Sequence, residues 1–191
     1  MKRLAVFASG NGSNFQSIAE AIKSGKLEAE ICLVVCDRED AYVLERAKLE
    51  NIDSFSFSAK NYSNKTEYES EILEKLRQYE IEFIILAGYM RLIGPTLLQK
   101  YSQRIVNIHP SLLPSFPGKD AIGQAFDAGV KETGVTVHYV DDGMDTGPVI
   151  AQKAVPILEG DTKDILQKRI QEMEHDLYPS VLQELCHKKL T

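Results

Sequence analysis

Cysteine is scarce in this chain, long apolar runs are missing and basic residues do not outnumber acidic ones; each shortage narrows what the protein is. Three cysteines are an odd and sparse set, not a disulfide framework. Cys32 and Cys36 fall in an expected strand, which would put them about 13 Å apart on one face. That is beyond disulfide reach, and the spacing is not a zinc spacing, so they read as buried, reduced thiols. No stretch approaches the ~20 apolar residues of a membrane span, and Met1-Lys2-Arg3 precedes only the short run Leu4 to Ala8 rather than a signal peptide. The expectation is a cytoplasmic protein with no membrane partner. A formal net charge of −6 argues against the basic stripe of a nucleic-acid binder. An anion can still bind locally, because helix ends supply positive potential without net charge. Repeats, low-complexity tracts and linkers are missing as well. With 43% hydrophobic residues the chain can bury a core, and it reads as one continuous domain, 1–191.

The order of signals gives the fold class. Leu4 to Ala8 reads as a strand, Phe15 to Lys23 as a helix closed by Gly25, and Ile31 to Cys36 as a strand buried on both faces. Tyr42 to Glu50 is helical and Ser54 to Phe57 a short strand. Thr66 to Tyr79 is an amphipathic helix with Ile72, Leu76 and Tyr79 inward and Glu69, Glu71, Glu74 and Lys75 toward solvent. Phe83 to Ala87 is another buried strand, and Pro95 starts a helix running to about Tyr101. This alternation predicts an α/β fold: an open, mostly parallel twisted sheet flanked by helices, Rossmann-like in its first half (about 1–100). In the second half (about 101–191), Ile105 to His109 is a strand and Ala121 to Ala128 a helix. Val135 to Val140 and Val149 to Val155 suggest an antiparallel edge. Asp161 or Thr162 caps a long last helix that Pro179 kinks or divides.

Two places carry chemistry. Gly10-x-Gly12 at a strand-to-helix junction sets main-chain N–H groups where a phosphate can sit, with Ser13 and Asn14 adding polar groups. A dinucleotide site with Asp37 on a ribose is opposed by Phe15, which stands where the third glycine of that fingerprint belongs. The other place is Asn107-Ile108-His109. Residues two apart on a strand share a face, so Asn107 and His109 point together at the strand's C-terminal edge, where open α/β sheets bind ligands. An imidazole moves protons near neutrality and an amide N–H can support an oxyanion. The acidic turn from Asp141 to Pro148 offers a carboxylate to orient His109; its spacing is not an EF-hand loop. His138 and His187 read as structural or surface residues.

Ser9-Gly10-Asn11-Gly12-Ser13-Asn14, Ala87-Gly88-Tyr89-Met90-Arg91, Asn107-Ile108-His109-Pro110-Ser111-Leu112-Leu113-Pro114 and Met144-Asp145-Thr146-Gly147-Pro148 together resemble the phosphoribosylglycinamide formyltransferase family, in order and across the whole chain. The resemblance implies a phosphate-binding first half and a folate cleft shared with the second. It implies formyl transfer from 10-formyltetrahydrofolate to glycinamide ribonucleotide in purine synthesis, without a metal, by a monomer or homodimer acting on small molecules. By position it makes Asn107, His109 and Asp145 the catalytic trio. Gly12, Ser13 and Asn14 would hold the substrate phosphate, and Gln171, Glu172, Met173 and Glu174 its amine and ribose. Lys65, Met90, Arg91, Leu92, Ile93, Asn107, Asp141, Asp142, Gly143, Met144 and Asp145 would line the folate site. The chain departs from the family at Lys119-Asp120, where many relatives carry a further His after the Pro-Gly, and at Lys65, where some have Arg. A formyltetrahydrofolate hydrolase, a methionyl-tRNA formyltransferase, a non-catalytic nucleotide sensor and an NAD-dependent oxidoreductase are the competing readings.

Overall fold

Strands covered by helices on both sides must be apolar on both faces, and the interior strands of this chain meet that demand. The structure is a computed structural model and describes residues 1–188; the end of the expected second half, 189–191, lies outside them. β1 (Lys2–Ala8), β2 (Ala29–Cys36), β3 (Ser54–Ser56), β4 (Phe83–Leu86) and β5 (Ile105–His109) pair in parallel. β6 (Glu132–Tyr139) and β7 (Val149–Pro156) then add antiparallel. The sheet order is β3-β2-β1-β4-β5-β6-β7, so the expected mixed edge is present. The chain winds outward from β1 to β3, then returns to β4 on the other side of β1. The order reverses there, and the crevice between the β1 and β4 carboxyl ends is the place where such sheets bind ligands.

Among the described residues six α-helices cover the sheet. α1 (Ser13–Lys23), α2 (Tyr42–Leu49) and α6 (Lys163–His187) bury Phe15, Ile18, Val43, Ile170 and Tyr178 against one face. α3 (Lys65–Gln78) and α4 (Pro95–Lys100) bury Tyr68, Ile72, Leu76 and Leu97 against the other; α5 (Ala121–Asp127) leads into β6. Thr162 rather than Asp161 caps α6, its hydroxyl accepting from the Ile165 amide at 3.2 Å. Asp161 instead takes both guanidinium nitrogens of Arg169, at 2.6 and 2.9 Å. Tyr178 reaches from α6 to the sheet, its hydroxyl 2.7 Å from the Leu86 carbonyl and 3.1 Å from that of Val106.

Three expectations are corrected. Glu69 does not face solvent: it is 2% exposed and accepts from the amides of Gly94 at 2.6 Å and Leu97 at 3.3 Å. It serves the amides at the start of α4, which have no acceptor within the helix. Cys32 and Cys36 are free and buried as expected but do not share a face. Leu4 pairs with Ile31 and Ala5 with Leu33, so Cys32 is an extra residue in β2. Such a bulge reverses the alternation, and Cys32 joins the α3 side of the core while Cys36 joins the α1 side. Pro179 does not divide the last helix, which runs unbroken from Lys163 to His187.

Candidate active site

The first bank of the crevice is built from main chain. β1 ends in Ser9-Gly10-Asn11, and Gly12 takes φ +80 at the start of α1 with no side-chain cap. A Cβ there would come 2.6 Å from Val43 Cγ2, so both conformation and space require glycine. The Val43 amide donates to Gly10 O at 3.1 Å, and Arg46 donates to the Asn11 carbonyl and to its Oδ1, each at 2.8 Å. The loop is thus pinned from α2, and the first-turn amides of α1, which have no intrahelical acceptor, are left for an anion. Phe15 is fully buried against the sheet, where a dinucleotide fingerprint needs glycine. Asp37 is no ribose ligand here: its two oxygens take Ser9 Oγ at 2.5 Å and Arg91 Nε at 2.8 Å.

Glu174 of α6 closes this bank. It is 9% exposed, and its Oε2 accepts from Asn14 Nδ2 at 3.4 Å. Burial pushes its carboxyl up to about 7, with the Asn14 amide opposing. Asn14 Oδ1 is itself buried without a partner. Two buried polar groups that satisfy each other so poorly suit a site that takes hydroxyl groups from a ligand.

The second bank is built from side chains. Asn107 and His109 leave the same face of β5 while Val106 and Ile108 enter the core on the other. Asp145, on the turn between β6 and β7, brings Oδ2 to 3.5 Å from His109 Nδ1 and accepts the Gly118 amide at 2.8 Å. His109 Nε2 lies 2.9 Å from the Phe116 carbonyl, which can only accept, so this nitrogen carries the proton. Asn107 pairs across the sheet with His138, its Nδ2 3.2 Å from His138 Nε2. His138 Nδ1 faces the Tyr139 carbonyl at 2.9 Å. Desolvation lowers the His138 pKa, with the carbonyl of Tyr139 and then Asp145 opposing. A carbonyl can only accept, so the ring donates from Nδ1, and its neutral form accepts from Asn107 at Nε2. This fixes the Asn107 amide and leaves one of its N–H bonds for the crevice. The turn is set by Asp141, whose Oδ1 accepts from Thr146 Oγ1 at 2.6 Å and the Gly143 amide at 3.0 Å. Those bonds, the Thr146 hydroxyl foremost, hold the Asp141 carboxyl below its ordinary range. Gly147 is required here too, because a Cβ would lie 1.8 Å from the Tyr139 carbonyl oxygen.

A family model described as formyl transferase matches residues 2–182. The chain belongs to the formyl transferase family. It is 58% identical over 185 residues to the phosphoribosylglycinamide formyltransferase of Bacillus subtilis (strain 168), covering 97% of this chain and 95% of that one. To the Escherichia coli (strain K12) protein of the same name it is 38% identical over 179 residues, 94% and 84% of the two chains. The crystal structure of glycinamide ribonucleotide transformylase 1 from Geobacillus kaustophilus superposes with a TM-score of 0.95 at 64% identity, covering 97% of this chain and 98% of that one.

Within this formyl transferase fold the expected site residues fall into groups. Asn107, His109 and Asp145 come together, as do Gly12, Ser13, Asn14 and Glu174. Of the other residues expected on α6, Glu172 is exposed and Met173 packs against the core, while Gln171 is half-buried. Met90 (69% exposed), Leu92 and Met144 are large apolar side chains left uncovered at the crevice, whereas Ile93 is buried in the α3 side of the core. Arg91 turns to Asp37, and Lys65 donates to the Leu92 carbonyl at 2.9 Å. Asp142 is exposed. Among the described residues no group of three or more His, Cys, Asp or Glu side chains is arranged to hold a metal, and no helix is long and apolar enough to cross a membrane. Sequence reasoning missed His138 as the partner of Asn107, the Phe116 carbonyl on His109, and Ser9. A histidine opposite Asn107 becomes visible only once the β5–β6 register is known.

Proposed function

We propose that this chain transfers the formyl group of 10-formyltetrahydrofolate to the primary amine of glycinamide ribonucleotide, in the cytoplasm, acting on small molecules alone. The observation that carries the reading is the joining, at one sheet edge, of the Asn107–His109–Asp145 group with an anion-ready helix start. The substrate phosphate sits on the amides of Ser13 and Asn14, and its ribose hydroxyls meet Glu174. The uncovered Met90, Leu92 and Met144 suit the flat apolar ring of a folate, and Lys65, bonded to the Leu92 carbonyl, is the cation offered to its carboxylates. The first half of the chain holds the phosphate, and the second supplies the catalytic group and shares the folate cleft.

In the reaction, the amine nitrogen bonds to the formyl carbon, the C–N10 bond breaks, and the amine proton ends on N10. The free N–H of Asn107 supports the oxyanion as it forms. With Nε2 of His109 already protonated toward Phe116, the ring takes a further proton at Nδ1, and the imidazolium lies against Asp145. That pair can pass the proton from the incoming amine to N10, directly or through water. The chemistry needs no metal.

Purified protein is mixed with 10-formyltetrahydrofolate, with and without glycinamide ribonucleotide and with and without a chelator. Ribonucleotide-dependent, chelator-resistant release of tetrahydrofolate with formylated product is expected. Release of free formate without the ribonucleotide identifies a hydrolase, and no turnover at all identifies a binding module.

A further inference from the structure

The phosphate loop and the segment that follows β4 are tied together below the surface. Ser9, the last residue before the glycine loop, donates its amide to the Gly88 carbonyl at 3.0 Å. Its hydroxyl accepts the Met90 amide at 2.8 Å and donates to Asp37 at 2.5 Å. The second Asp37 oxygen takes Arg91 Nε at 2.8 Å, and the Arg91 guanidinium lies over the Tyr68 ring, 5.8 Å from its centre. Ser9 and Asp37 are buried. Farther along, Lys65 holds the Leu92 carbonyl and Glu69 the Gly94 amide. The segment from Gly88 to Gly94 is therefore gripped through five of its groups by residues of other elements. Only Ser9 among these also begins the phosphate loop.

We infer that Ser9 and Asp37 are positioning residues that set the Met90–Ile93 segment for the formyl donor, with Ser9 registering that segment against the phosphate loop. This rests on the proposed reading of Met90–Ile93 as donor-contacting. A half-buried cation such as Arg91 keeps one orientation only while its carboxylate partner stays in place; a buried pair is screened little by solvent, and losing one member leaves an unpaired charge. Without Asp37 the Arg91 side chain has water to seek, and the backbone on either side goes with it. The donor does not need to touch Asp37 to feel its loss. The phosphate loop keeps its own ties to Val43 and Arg46, so it should be spared when Asp37 alone is changed and disturbed when Ser9 is.

The test measures tetrahydrofolate binding by calorimetry, KM for each substrate, kcat and melting temperature in the wild type, Asp37→Asn and Ser9→Ala. Asp37→Asn is expected to weaken tetrahydrofolate binding and raise the donor KM about tenfold, the worth of one charge-assisted hydrogen bond. The ribonucleotide KM should stay within about twofold, since the ties of its loop to Val43 and Arg46 are unchanged. Ser9→Ala is expected to raise both KM values. An Asp37→Asn protein that melts lower but keeps its donor KM, or in which both KM values and kcat move together, overturns the assignment. Ser9→Ala decides it if Asp37→Asn does not fold: a normal ribonucleotide KM with a normal donor KM sinks the idea. Wild-type protein that neither binds tetrahydrofolate nor turns over defeats the proposed function itself, a result separable from any contrast between variants.

Discussion

The proposed phosphate loop and the proposed catalytic group face one crevice but are made differently. The loop presents main-chain amides, needs a glycine at one position, and is fastened from α2 by Val43 and Arg46 and at its start through Ser9. The proposed catalytic group presents side chains from one strand and one turn, and each is aimed by a further residue: His109 by the Phe116 carbonyl, Asn107 by His138 of the antiparallel neighbour, Asp145 by the Gly118 amide. A site made of main chain tolerates side-chain change around it but not a change of backbone shape. A site made of side chains should show the opposite pattern.

Substitutions in the two regions test that contrast. The largest effect is expected at the catalytic group: Asn107→Ala or His109→Ala should lower kcat about 10²–10³-fold with a small effect on ribonucleotide KM. Near-normal turnover in either would remove that residue from the chemistry. Gly12→Ala should do the reverse, costing about 2–4 kcal/mol of stability through overpacking on Val43 and an unfavourable φ and raising ribonucleotide KM more than it lowers kcat. Chemical denaturation and substrate titrations on the same sample would read both quantities.

Glu174 gives a third contrast, in pH. Its folded value of about 7 lies above the ordinary 4.5, so between those values the folded chain keeps a proton the unfolded chain has lost, and stability falls as pH rises through the window. Glu174→Gln cannot ionise and should flatten that fall, recovering roughly 1–3 kcal/mol at pH 8 relative to pH 5. Parallel melting curves for the two proteins would sink the assignment. The smallest effect is expected at His138. His138→Ala frees the Asn107 amide without removing it and should lower kcat on the order of tenfold, about one hydrogen bond. In an Asn107→Ala background, His138→Ala should then cost little more, because His138 acts only through the Asn107 amide.

Much of this arrangement is legible in the sequence for physical reasons. Ile31 to Cys36 and Phe83 to Leu86 are short apolar runs that fit only strands covered on both sides, and the two-residue period places Asn107 with His109 before any coordinates. What resists is whatever depends on distant chain. Glu69 sits among other acids on a helix and reads as solvated, since nothing local says that the amides starting α4 will arrive above it. Cys32 reads as a sharer of the Cys36 face because the extra residue in β2 shows only against β1. The role of His138 depends on strand register, and that of Ser9 on the Met90 amide, 81 residues away in the chain. The resemblance to formyl transferases points to Asn107, His109 and Asp145 but not to the residues that aim them.

Proline has no amide hydrogen, so Pro179 leaves the His175 carbonyl without its usual helical donor while the α6 backbone continues past it. In hydrogen-exchange terms the helix is two protected stretches joined at a gap. The first carries Glu174 and ends on Tyr178, whose hydroxyl is anchored to the sheet. The ladder is therefore one bond short just past Glu174, and occupancy of the crevice should slow exchange most on the Glu174 side of that gap.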